Sequence, residues 1–131
     1  MPTDLRIVLP NRPGTTVGAC EVLGNRGINI EGVAGDLRPG DTWGYIHLLV
    51  EDAREARTAL EEAGFDVSGE HEVDLFELEN RPGALAELIR RYSDVGENIE
   101  ILYMAGGSRV VVGTESMRRD ISGVKVKDVR Y

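Results

Sequence analysis

Asn11-Arg12-Pro13-Gly14 and Asn80-Arg81-Pro82-Gly83 are one tetrapeptide written twice, 69 positions apart in a chain of 131 residues. The surrounding pattern returns at the same offset without a gap. Leu9 meets Leu78, and Gly27-Ile28-Asn29-Ile30-Glu31 meets Gly96-Glu97-Asn98-Ile99-Glu100. A period of that length is too long for a solenoid repeat, whose units run to about 20–50 residues. Whatever one half folds into, the other must approximate. We therefore expect two small domains, residues 1–69 and 70–131, with almost no linker between them.

Local patterns give the content of each half. Leu5-Arg6-Ile7-Val8-Leu9 is a short β-branched run, and Pro13 after it suits the first position of a helix, where its missing N–H would be unpaired anyway. In the second copy Leu85, Leu88, Ile89 and Tyr92 recur at helical spacing, an apolar stripe that Gly96 ends as Gly27 does in the first. An extended segment from Ile28 to about Gly35, a turn at Arg38-Pro39-Gly40-Asp41 and a return strand Trp43 to Val50 read as a hairpin. On that return strand Ile46, Leu48 and Val50 share one face, and Tyr45, His47 and Leu49 the other. Asp52 with Glu55 resembles a capping box, and Ala56, Leu60 and Ala63 give a second helix its stripe before Gly64 stops it and a fourth strand starts at Phe65.

The predicted order is β-α-β-β-α-β, a ferredoxin-like α+β unit with two helices on one face of an antiparallel sheet. The second copy repeats it with strands at His71–Leu78, Asn98–Ala105, Arg109–Gly113 and Val124–Val129, a tight turn at Gly106-Gly107, and a short second helix near Glu115 to Ile121. The fold class is thus two such units in tandem.

Composition narrows the function classes. With 41% apolar and 29% charged residues the chain is that of a globular protein. A net charge of −8 opposes a general surface for polyanions, so nucleic acid is not an expected partner. No segment approaches the roughly 18 apolar residues that span a bilayer, and Met1-Pro2-Thr3-Asp4-Leu5-Arg6 lacks the pattern of a secretory signal, so the expectation is a cytoplasmic protein away from membranes. One cysteine and two histidines form no zinc pattern, and neither metal nor cofactor is expected. Cys20 aligns with Ile89 on the helix stripe and reads as a small core residue. His47 reads as an interface residue on the face away from the helices, and Glu31 and Glu100 as solvated strand positions.

Leu78-Glu79-Asn80-Arg81-Pro82-Gly83-Ala84-Leu85 resembles the opening loop of ACT domains, the βαββαβ modules that bind amino acids and regulate enzymes of amino-acid metabolism. Leu9-Pro10-Asn11-Arg12-Pro13-Gly14 resembles it again, and Gly27-Ile28-Asn29-Ile30 and Gly96-Glu97-Asn98-Ile99 are similar to the family's entry to the second strand. The resemblance covers nearly the whole chain. It implies ligand binding between neighbouring units, with loop residues from one and second-strand residues from the other. Leu9 and Leu78 stand where the serine-binding ACT domains of phosphoglycerate dehydrogenases carry a histidine, so selectivity for serine is not implied.

Physical chemistry supplies a reason for those residues. A free amino acid presents a carboxylate and an ammonium together, and a helix N-terminus offers unpaired N–H groups and partial positive charge for the carboxylate. Arg12 and Arg81 sit where a Ser, Thr or Asp cap would otherwise fill those donors, and Gly14 and Gly83 permit close backbone approach. Asn11, Asn80, Asn29 and Asn98 bring amide groups that can address either charge. The expected ligand contacts are Asn11, Arg12, Pro13, Gly14, Thr15, Asn29 and Ile30 in the first copy and Asn80, Arg81, Pro82, Gly83, Ala84, Asn98 and Ile99 in the second. The two sites need not be equivalent, because Thr15-Thr16 become Ala84-Leu85.

The leading expectation is a non-enzymatic sensor that binds a free amino acid, forms a homodimer and acts on a metabolic enzyme or regulator. The alternatives are a ligand-free assembly module, an RNA-recognition module through Trp43-Gly44-Tyr45-Ile46-His47-Leu48, and a small hydrolase like acylphosphatase using Arg12 or Arg81. The RNA reading lacks an aromatic residue on the first strand, and the hydrolase reading lacks that family's glycine and glutamine pattern.

Overall fold

The computed structural model describes residues 2–115 and the backbone of residues 118 and 119. Residues 3–72 run β1 (Thr3–Pro10), α1 (Thr15–Asn25), β2 (Gly32–Asp36), β3 (Trp43–Val50), α2 (Ala53–Glu62) and β4 (Asp66–Glu72). Residues 74–114 run β5 (Asp74–Glu77), α3 (Ala84–Asp94), β6 (Ile99–Ala105) and β7 (Arg109–Thr114), and β8 is the pair Arg118–Arg119. The protein is α+β with an antiparallel sheet in the order β5-β7-β6-β2-β3-β1-β4-β8.

The order contains its own symmetry. The first half contributes β2-β3-β1-β4 and the second β6-β7-β5, so that corresponding strands β2 and β6 meet at the centre. Their junction is a single residue pair, Gly32 opposite Ala105. A Cβ on Gly32 would lie 2.9 Å from the Ala105 Cβ, so the crossing needs a glycine there.

One residue, Val73, separates β4 from β5, although these strands stand far apart in the sheet order. A flat sheet could not be joined that way. The sheet curls, and the helix-free faces of the two halves pack on each other: Leu49 and Val73 from the first meet Val111, with Leu75, Tyr103 and Ala105, in one apolar cluster. A larger cluster lies between β1, β3, β4 and the two helices of the first half, built on Leu5, Ile7, Leu9, Leu23, Ile46, Leu48 and Leu60. The second half has a smaller one, Leu88 with Val110 and Val112.

Polar groups also enter the contact between halves. The fully buried Asp4 carboxylate accepts from the Tyr103 hydroxyl at 2.7 Å and lies 2.8 Å from His47 Nδ1. His71, also fully buried, rests against Gly113 of the second half and donates from Nδ1 to the Glu72 carbonyl at 2.7 Å. Unpaired buried charge is costly, so this network both requires the contact and fixes its register.

Several expectations are corrected. Residues 118 and 119 form a ladder with Glu70 and His71 on the β4 edge, where a short helix had been expected from Glu115 to Ile121. A seven-residue helix is marginal by itself, whereas an open strand edge offers backbone partners at once. Residues 116, 117, 120 and 121 of that expected helix, and the expected strand Val124–Val129, lie outside the described residues. His71 belongs to β4 and not to the first strand of the second half. β2 begins at Gly32 and not at Ile28, because the Glu31 N–H bonds Leu49 while its carbonyl accepts from Gly106 of the second half. Leu85 is exposed, since α3 turns Ala84 and Leu88 inward; Ala63 caps α2 in solvent; and Cys20 is only half-buried beside Ala19.

Candidate ligand site

Helix α2 shows the ordinary way to start a helix. Asp52 is its N-cap, and its side chain accepts the Glu55 N–H at 3.1 Å, as the sequence predicts. The other two helices start differently. In both Asn-Arg-Pro-Gly loops the cap is the glycine, Gly14 at φ 93° and Gly83 at φ 86°, and no side chain caps either helix. Left-handed backbone at these positions is open to glycine and strained for other residues. It also corrects the expected helix start. Pro13 and Pro82 stand in the turn, one residue before the cap, because the chain cannot pass a left-handed residue and remain helical.

The side chains around the two starts diverge. In the first loop Asn11 donates from Nδ2 to the carbonyls of Arg38 at 2.7 Å and Asp41 at 2.9 Å, which ties the β2–β3 turn to the loop and leaves Oδ1 as its remaining polar atom. Thr15 Oγ1 donates back to the Pro10 carbonyl at 2.8 Å, bracing the loop from the helix side. In the second loop the Asn80 side chain makes no hydrogen bond among the described residues, and Ala84 has no hydroxyl to brace with.

The arginines diverge as well. Arg81 is held by Glu79 at 2.6 Å and by Glu87 at 2.7 Å, which raises the guanidinium pKa and lowers that of the Glu87 carboxyl. Pro10 and Gly18 occupy the corresponding positions of the first copy, and Arg12 has no ion pair among the described residues. An incoming carboxylate would meet an unmatched cation at the first loop and a cation fronted by two acids at the second.

A groove of about 440 Å³ opens at the first loop, lined by Pro10, Arg12, Gly14, Thr15, Trp43 and Phe65, with Asp66 at its edge. Trp43 is 56% exposed and sits opposite Pro10 in the β1–β3 register. The sequence reading did not name Trp43, Phe65 or Asp66 as contacts. Its only signal was the lone tryptophan following a turn, because their approach to Arg12 depends on strand pairing and on the α2–β4 corner.

The second-strand residues are elsewhere. Asn29 and Ile30 precede β2, with Asn29 exposed and Ile30 packed against the first core. Asn98 and Ile99 line a separate groove with Ile89, Ser93 and Glu97 on the flank of α3. The two groups of expected contacts therefore occupy different grooves within this chain. Glu31 and Glu100 are also not simply solvated: Glu31 pairs across the halves with Arg109 at 3.5 Å, and Glu100 is half-buried near Arg6 and His47.

No family model matches this chain, and no curated protein matches it. Solved structures do. Protein BT0572 from Bacteroides thetaiotaomicron is 28% identical, with a TM-score of 0.71 over 86% of this chain and 76% of that one. The regulatory subunit of aspartate kinase from Thermus thermophilus is 21% identical, with a TM-score of 0.64 over 86% and 82%. The corresponding subunit from Thermus flavus is 20% identical, with a TM-score of 0.61 over the same shares. The last two likenesses concern the fold.

Proposed function

We propose that this protein is a non-catalytic regulatory module of the ACT type that takes a free amino acid at the first Asn-Arg-Pro-Gly loop. The observation that carries this reading is the pair of helix starts capped only by a left-handed glycine, at both copies of the repeated tetrapeptide. A cap side chain would satisfy those N–H groups within the chain, as Asp52 does for α2. The fold shared with two regulatory subunits of aspartate kinase supports the regulatory half of the reading.

The ligand carboxylate faces the amides after Gly14 together with Arg12, and its ammonium turns toward Asp66 or the Asn11 oxygen. Its side chain rests on Trp43 and Phe65, which favours an apolar amino acid. The expected second-strand contribution, from Asn29, Ile30, Asn98 and Ile99, is supplied by a second copy of the chain in a homodimer. The second loop, with Arg81 occupied by acids, serves shape and not binding. The ligand acts by favouring one assembly with a metabolic enzyme or regulator over another, since equal affinity for both would shift nothing.

Thermal unfolding against each of the twenty amino acids tests this. A ligand at about 100 times its dissociation constant adds about 2.7 kcal/mol, which raises the midpoint by several degrees. A selective rise that disappears in Arg12→Ala supports the assignment; no rise with any of the twenty removes it.

That second outcome would favour a ligand-free assembly module, for which one feature speaks. Val33 on β2 and Leu102 and Met104 on β6 are exposed on the outer face where the two half-sheets join.

A further inference from the structure

The corner between α2 and β4 brings a second charge to the groove at the first Asn-Arg-Pro-Gly loop. Gly64 ends α2 with a left-handed backbone at φ 88°, and the Phe65 N–H bonds back to the Leu60 carbonyl at 3.0 Å. Phe65 packs against the first core and rests on α1: its Cζ lies 3.4 Å from the place a Cβ on Gly18 would occupy. β4 therefore starts from a fixed point. Its first residue, Asp66, stands opposite Val8 in the β1–β4 ladder and lines the groove together with Arg12 and Trp43. We infer that Asp66 makes this groove specific for an amine, its carboxylate taking the ammonium of an α-amino acid whose own carboxylate lies on Arg12. The inference rests on the first loop being the amino-acid site, and it names the group that selects the ligand class there.

Two acceptors stand near the loop, and they are not equivalent. Asn11 does not line the groove. Its Nδ2 donates to the carbonyls of Arg38 and Asp41 at 2.7 and 2.9 Å, and its backbone N–H to that of Thr42 at 2.9 Å, so it is committed to holding the β2–β3 turn. Asp66 does line the groove, and its carboxylate has no hydrogen bond or ion pair among the described residues. The Arg12 guanidinium has none there either. The two share one groove without pairing with each other, and no other side chain that lines it is charged.

Such a pair selects by repulsion as well as by attraction. A plain carboxylate that reaches Arg12 meets the like charge of Asp66, and a plain amine that reaches Asp66 meets Arg12. A zwitterion satisfies both. A hydroxy acid of the same shape keeps the contact with Arg12 but loses a charge-assisted hydrogen bond, which lowers affinity about tenfold or more.

The test is calorimetric titration of the full chain with two matched pairs, L-leucine with (S)-2-hydroxy-4-methylpentanoate and L-phenylalanine with (S)-2-hydroxy-3-phenylpropanoate. The members of each pair differ only in ammonium against hydroxyl. In at least one pair the amino acid binds about tenfold or more tightly than its hydroxy acid. Asp66→Asn brings the two close to equal through loss of the amino acid's affinity alone, whereas a merely structural role would weaken both compounds alike. Asn11→Ala, which loosens the turn, lowers both affinities by the same factor. Asp66→Ser provides the same reading should Asp66→Asn not fold, and the comparison within each pair on the unaltered chain needs neither variant. Equal affinity within each pair, a preference that survives in Asp66→Asn, or one lost in Asn11→Ala and kept in Asp66→Asn overturns the assignment. Equal affinities that vanish in Arg12→Ala would remove Asp66 alone and keep the loop as the ligand site; no binding of any of the four compounds removes both.

Discussion

The two Asn-Arg-Pro-Gly loops share four residues and one backbone path, with glycine caps at φ 93° and 86°, yet their surroundings differ in almost every side chain. The first is braced by Asn11 and Thr15, opens on Trp43 and Phe65, and holds an arginine that makes no ion pair among the described residues. The second has no brace from Asn80, and its arginine is gripped by Glu79 and Glu87. Identical motifs therefore need not be equivalent sites: backbone geometry follows the motif, whereas charge and shape follow its neighbours. The same contrast extends to the cores, since the first half closes around two helices and the described part of the second around one.

The largest test compares those cores. Leu23→Ala should cost about 3–5 kcal/mol and Leu88→Ala about 2–3 kcal/mol, because Leu23 is fully buried in the larger cluster whereas Leu88 keeps 8% of its surface exposed in the smaller one. Urea denaturation gives both values, and equal losses would erase the distinction. Asp4→Ala tests whether the halves depend on each other; it should cost roughly 3 kcal/mol by removing the buried carboxylate that Tyr103 and His47 both contact. A loss below about 1 kcal/mol would mean that the polar contact between halves is incidental.

The loops themselves come next. Asn11→Ala should lower stability by about 1–2 kcal/mol through two lost hydrogen bonds, and Asn80→Ala should stay within about 0.5 kcal/mol. The reverse order would break the comparison at its centre.

The smallest expected effect is pH-dependent and lies with His71. Burial holds its pKa below the ordinary 6.5, against the opposing influence of Glu72, Asp4, Glu100 and Thr114. The neutral form is therefore the one the fold prefers, so its contribution is full above pH 6.5 and is lost as pH falls through 6.5 toward the lower folded value. Stability profiles of the unaltered chain should decline over that window, and those of His71→Gln should decline less.

Much of the fold was legible because its signals are local. The alternation in Trp43–Val50 put His47 and Leu49 on the face away from the helices, and that face is where the halves meet. The Asp52 cap, the glycine that ends each helix and the hairpin between β2 and β3 follow from backbone preferences of a few residues. The site was only partly legible. The loop residues could be named from the repeat, but the pairing of Arg81 with Glu87, six residues on, requires the turn geometry that brings them together. Trp43 and Phe65 reach the first loop only through strand register and the α2–β4 corner.

What the sequence by itself determined is the duplication, the order of elements through β7, and the glycines that end the helices, all of which depend on interactions between near neighbours in the chain. Tertiary structure alone decided that a single residue, Val73, turns the sheet back on itself, that Asp4 and His71 are buried between the halves, and that Arg6 and Glu100 share a cleft. Those outcomes join residues up to 99 positions apart, as Tyr103 and Asp4 are. No local pattern encodes them, because curl and burial are properties of the packed sheet and not of any one strand.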